Sequence, residues 1–142
     1  MEVLYVPDAT VVVKWALPPA EDKGQDRSLD LLQLWLEGGC RFLLPALWVA
    51  EVASLLARLH PQRAADLMTL LIGLEMPVAE DSAALCQRTL QLMQELGVGF
   101  YQAYYHAVAL QHGGTLVTAD AAYCRKARSA AGLLLLKDFA AP

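Results

Sequence analysis

Leu4-Tyr5-Val6-Pro7-Asp8-Ala9-Thr10-Val11-Val12-Val13 is the stretch whose reading decides the fold. An apolar run ends on an acid, and a second apolar run follows at once. Residues 3–6 read as a buried strand, with Asp8 just past its carboxyl end and a helix beginning near Thr10. In open α/β sheets, ligands bind beyond the carboxyl ends of the strands. Further acids delivered to the same edge would therefore make a metal site.

Outward from there, a polar, proline-marked connection over residues 18–24 leads to a helix over 26–37, with Leu29, Leu32, Trp35 and Leu36 at helical spacing. Residues 41–44 are short, apolar and bounded by Gly39 and Pro45, which predicts a second strand. A helix over 46–59 carries the stripe Trp48, Val52, Leu55 and Leu59, and His60-Pro61 interrupts it. A further helix is expected over 61–74, with Pro61 at its first position, and a third strand over 76–79. Asp81 is placed to cap a long helix to residue 96, with Leu85, Thr89, Leu92, Met93 and Leu96 on one face. A helix over 101–112, a strand over 115–118, a helix over 120–130 and a strand over 133–136 complete the pattern. Strands alternating with helices predict a single three-layer α/β/α domain spanning residues 1–142, with a five-stranded parallel sheet.

Composition narrows the class. Of 142 residues, 56% are hydrophobic, and the mean hydropathy is +0.35. No uncharged apolar run approaches the roughly 18–20 residues of a spanning helix. The excess therefore points to a buried parallel sheet and to apolar surface covered by a partner, as in an oligomer or complex. No secretory signal is evident. Cys40, Cys86 and Cys124 are odd in number and widely spaced, and read as reduced thiols of a cytoplasmic protein. A net charge of −4 advertises no basic footprint for nucleic acid. Two small clusters, Arg58, His60 and Arg63, and Arg125, Lys126 and Arg128, read as solvated helix faces.

Three acids stand out. Asp8 and Asp120 each follow a strand and open a helix, so each reads either as a helix cap or as a ligand at one edge of a parallel sheet. Glu51 lies about 60° from the centre of its helix's apolar stripe. That leaves a carboxylate at the border of the buried face, needing a base such as Arg58 or a cation. Carboxylates crowded at one edge repel unless protonated or bridged. Hard oxygen ligands favour Mg²⁺ or Mn²⁺.

Four segments carry a family likeness: Val6-Pro7-Asp8-Ala9-Thr10, Leu44-Pro45-Ala46-Leu47-Trp48-Val49-Ala50-Glu51, Gly99-Phe100-Tyr101-Gln102-Ala103-Tyr104-Tyr105-His106, and Thr115-Leu116-Val117-Thr118-Ala119-Asp120. In order and in register, they resemble the PIN domain, in particular the VapC toxins of bacterial toxin–antitoxin pairs. The resemblance implies a Mg²⁺- or Mn²⁺-dependent endoribonuclease that hydrolyses RNA phosphodiesters, forms a homodimer and is held inactive by an antitoxin. It implies that Asp8 and Asp120 are metal-site acids, that Glu51 acts through a water, and that Thr10 and Thr118 support the site.

One position departs from the family pattern. Gln102 stands where the family has an Asp, which removes a charge and lengthens the side chain by one methylene. A weak or absent ligand is expected there, because affinity follows ligand charge. His106, one turn on, is a second candidate ligand, although a core histidine is the plainer reading. Two functions follow. The chain is an active ribonuclease, or it is a silent PIN domain that serves as a protein- or RNA-binding module. A receiver-like phosphoryl-transfer domain would account for Asp8 but for neither Glu51 nor Asp120.

Overall fold

The computed structural model describes residues 2–18 and 24–142, so much of the connection expected over 18–24 lies outside the described residues. Strand β1 (Leu4–Pro7) leads into a short helix α1 (Ala9–Val12) that runs on as a 3-10 turn, Val13–Ala16. After it come α2 (Gln25–Leu36), β2 (Arg41–Phe42), β3 (Leu44–Pro45), α3 (Trp48–Leu59), α4 (Ala64–Ile72) and β4 (Val78–Ala79). The chain ends with α5 (Ala83–Leu96), α6 (Phe100–Gln111), β5 (Thr115–Thr118), α7 (Ala121–Lys126), β6 (Leu133–Leu135) and a 3-10 turn, Leu136–Asp138. Every strand pair is parallel. The architecture is the expected α/β one, a parallel sheet flanked by helices.

The strand count differs from five. One sheet has four strands in the order β2-β1-β5-β6, and β3 and β4 form a separate two-stranded ladder. The second expected strand is divided at Leu43: Arg41 and Leu43 donate to Val3 and Tyr5 on the β1 side, whereas Leu44 donates to Pro77 on the β4 side. Pro45 has no N–H with which to extend the second ladder, and Pro77 has none with which to lengthen β4. Proline thus keeps these pairings two residues long.

Helix α6 forms the floor of the core. Residues 103–109 are buried without interruption, and α6 packs on β1, β3 and β5 with α5 against its other side. Alanines at 103, 107 and 109 let the helix approach the sheet closely. Gly114, which starts the return into β5, fits only because it lacks a side chain: a Cβ there would sit 2.9 Å from Leu4 backbone oxygen.

Three local expectations shift. Helix α4 begins after Arg63, not at Pro61, because residues 61–63 form a turn. Ser82, not Asp81, caps α5 by accepting from Leu85 N at 3.1 Å, while Asp81 accepts from the Tyr104 hydroxyl. Helix α2 buries Gln25, Ser28 and Leu31 and leaves Leu29 and Leu36 exposed. Its face is set by polar anchors that periodicity does not register. The Gln25 amide donates to Lys14 O and Leu17 O, and the Trp15 indole donates to Ser28 O at 2.8 Å. Trp15 and Trp35 then stack on either side of Phe42, with ring centroids at 5.8 and 5.0 Å. Among the described residues no helix is long and apolar enough to cross a membrane.

Candidate active site

Strands β1 and β5 are neighbours, so their carboxyl ends deliver Asp8 and the Thr118–Asp120 segment to one edge. Asp8 N donates to Val117 O at 3.0 Å and locks the two ends together. The Asp8 side chain caps α1: Oδ1 accepts from Thr10 N at 3.0 Å, from Val11 N at 3.3 Å and from the Thr10 hydroxyl. A carboxylate only accepts, so the Thr10 proton is committed to Asp8. Thr10 Oγ1 in turn accepts from Ala119 N at 2.9 Å and faces Thr118 Oγ1 at 3.4 Å, with Thr118 as the donor. Thr118 Oγ1 accepts from Asp120 N at 3.1 Å. A chain of donors therefore runs from Asp120 through both threonines to Asp8.

Asp8 is buried, with 4% of its surface exposed. Burial raises its pKa from 3.8 to about 6; the hydroxyls of Thr10 and Thr118 and the Val11 N–H pull the other way, and the Glu51 charge pushes it further up. Glu51 comes from α3, whose buried stripe is Trp48, Val52 and Leu56. The expected members Leu55 and Leu59 lie off that stripe, and Leu59 is exposed. The neighbouring face of α3, with Leu47, Ala50, Glu51, Ser54, Leu55 and Arg58, lines a cleft of about 630 Å³. Asp8, Thr10, Gln102 and Tyr105 line it as well.

Glu51 Oε1 is buried in this cleft without a hydrogen-bond partner. The ion pair with Arg58 that would have explained Glu51 structurally is not made at that oxygen. Burial raises the Glu51 pKa, and the nearby Tyr105 hydroxyl lowers it. Tyr105 and Glu51 lie close enough to shift each other, yet Tyr105 Oη also lacks a hydrogen bond of normal geometry. The phenol and the carboxylate thus bear on each other in one cleft.

Asp120 does double duty as a cap. Its Oδ1 accepts from Tyr123 N at 3.0 Å and its Oδ2 accepts from the Gln102 side-chain amide. Gln102 therefore supplies a donor where a second acid would have met Asp120 with like charge. Among the described residues no three His, Cys, Asp or Glu side chains stand close enough, as placed, to hold a metal ion. Asp8 and Glu51 are nevertheless coupled acids with no base between them, and Glu51 keeps a buried oxygen unsatisfied. That donor set suits a hard divalent cation.

His106 is not part of the cleft. It is fully buried, with Nε2 on Ala131 O at 2.8 Å and Nδ1 on the Tyr123 hydroxyl at 2.7 Å. A carbonyl only accepts, so Nε2 carries the proton and Nδ1 accepts from Tyr123. Burial lowers its pKa, which keeps the ring neutral. Tyr105 is the residue that sequence reasoning left unused. Its spacing of three from Gln102 places both on one helical face, and that was the available signal.

A family model described as "PIN domain" matches residues 5–129. No curated protein matches significantly. Among solved structures, the fold is similar to that of PAE2754 from Pyrobaculum aerophilum, at 23% identity and TM-score 0.67, covering 96% of this chain and 92% of that one. It is also similar to Mycobacterium tuberculosis VapC20, described as a sarcin-ricin loop cleaving toxin, at 19% identity and TM-score 0.66, covering 92% and 96%. VapBC2 from Rickettsia felis, solved bound to a fragment of its promoter DNA, matches at 16% identity and TM-score 0.69, covering 94% and 97%.

Proposed function

The chain belongs to the PIN-domain family, and we propose that it is a divalent-metal-dependent endoribonuclease, the toxin of a bacterial toxin–antitoxin pair. The observation that carries this reading is the coupled pair Asp8 and Glu51 at one cleft, with Glu51 Oε1 buried and without a hydrogen bond of regular geometry. Asp8 would hold Mg²⁺ or Mn²⁺ directly and Glu51 would do so through a water, and Asp120 would stand beside them as a ligand. The Gln102 amide nitrogen is committed to Asp120, which leaves the amide oxygen as its one donor of electrons to a cation. A cation so held lowers the pKa of water and stabilises the leaving oxygen of a phosphodiester.

The chain's own groups do the remaining work. Thr10 and Thr118 fix the Asp8 carboxylate through the donor chain and keep Oδ1 from rotating. Arg58 on the cleft wall supplies the positive charge for a phosphate backbone that an acidic protein otherwise lacks. Leu59, Leu70 and Ile72 on the α3–α4 pair are 53%, 67% and 49% exposed, the kind of surface that a second copy or an antitoxin would cover. A cytoplasmic site of action fits three free thiols.

Gln102 favours a second reading, a silent PIN domain that binds a protein or RNA without cutting. Its amide neutralises the need of Asp120 for a cation. RNA cleavage with added Mn²⁺, compared across wild type, Asp8→Asn and Gln102→Asp, separates the two. Activity in wild type that Asp8→Asn abolishes supports the enzyme. Activity confined to Gln102→Asp supports the silent module.

A further inference from the structure

Tyr105 carries an anomaly that the metal-site acids do not explain. It is 1% exposed, and its hydroxyl faces the Glu51 carboxylate without making a hydrogen bond of regular geometry. Buried hydroxyls are rarely left so, because desolvation without a partner is unfavourable. Phe would fill the same space without that cost. Glu51 is close enough to be coupled to it, and both residues line the same cleft beside Asp8. One atom is a carboxylate oxygen that only accepts, and the other belongs to a phenol that donates its proton. The phenol is thus the donor at hand to hold that carboxylate in one orientation.

We propose that Tyr105 is a positioning residue: its hydroxyl engages the Glu51 carboxylate beside Asp8, and so orients Glu51 toward a divalent cation. This rests on the metal-site reading above. Helix α6 supports the assignment, since it is rigidly buried on both sides of Tyr105 from residue 103 to 109. The hydroxyl is therefore presented from a fixed element, while Glu51 reaches in from α3. Groups that orient a ligand in this way typically change metal affinity or activity by about 10–100-fold when removed.

The test uses the full chain as wild type, Tyr105→Phe, Glu51→Gln, the double variant and Asp8→Asn. Mn²⁺ is titrated by calorimetry and by water-proton relaxation, and thermal unfolding is recorded in chelator. Tyr105→Phe is expected to unfold at the wild-type temperature or above, because the hydroxyl it loses is buried and makes no hydrogen bond of regular geometry. It is expected to bind Mn²⁺ about tenfold more weakly and to change the relaxation enhancement per bound ion. The double variant is expected to bind no more weakly than Glu51→Gln alone, since Tyr105 acts through Glu51. Mn²⁺ affinity unchanged in Tyr105→Phe but lost in Asp8→Asn would overturn the role of Tyr105 and leave the metal site standing. Affinity unchanged in Asp8→Asn as well would overturn both. A clear fall in thermal stability of Tyr105→Phe would show that its hydroxyl serves the fold, and would also overturn the proposal.

Discussion

Asp8→Asn should make the metal-free protein more stable, and only above a certain pH. In the folded chain burial raises the Asp8 pKa from 3.8 to about 6, so the fold disfavours its charged form. At 1.36 kcal/mol per unit, that difference corresponds to about 3 kcal/mol of destabilisation once Asp8 is ionised in both states. The sign follows from proton binding. Between pH 3.8 and 6 the folded state holds more protons than the unfolded one, so stability falls as pH rises through this window. Asparagine keeps an acceptor for Thr10 N, Val11 N and the Thr10 hydroxyl, and it is as good a cap as aspartate. It removes the charge and turns the second carboxylate oxygen into an NH₂ donor. Urea unfolding in chelator should therefore place Asp8→Asn above wild type by up to about 3 kcal/mol at pH 8, with the gap closing near pH 4. Mn²⁺ at about 1,000 times its Kd should reverse the order, because it then stabilises the form that binds it by about 4.1 kcal/mol. If Asp8→Asn proves less stable than wild type at pH 8 without metal, the ionised carboxylate is a stabilising cap, and the reasoning fails.

Gln102→Asp should behave in the opposite way. It removes the amide that donates to Asp120 and sets two carboxylates side by side, which should cost about 1–3 kcal/mol in chelator and tighten Mn²⁺ by tenfold or more; calorimetry and unfolding on the same samples check both. His106→Ala should lose about 2–4 kcal/mol, because the ring fills the core and bridges Tyr123 to Ala131. It should leave Mn²⁺ affinity at the wild-type value, in contrast to every cleft variant.

The alternation of strands and helices and the places of Asp8 and Asp120 were legible because strand ends and caps leave local signatures. The β1 and β5 ends meet as the pattern of a parallel sheet requires. Glu51 was legible as an acid at the edge of an apolar face, although that face is Trp48, Val52 and Leu56, one position round from the expected one. What stayed hidden was polar and non-local. The buried face of α2 is set by the Gln25 amide and the Trp15 indole reaching across some ten residues of chain, which no hydrophobic period encodes. The division of the second strand at Leu43 depends on which neighbour each N–H meets. Gln102 was visible as a missing charge, but its bond to Asp120 was not, because that contact exists only once α6 and β5 are packed together.

The donor chain from Asp120 to Asp8 joins residues 108 and 109 positions apart in the sequence. One half of this acid edge thus follows β1, and the other follows β5. During synthesis the early acid waits, with its strand unpaired on the β5 side, until β5 has left the ribosome. No amino-terminal fragment holds the complete edge, and truncation before Thr115 deletes it outright. The acid edge of the sheet is therefore assembled only after β5 has been made, which is a property of its topology.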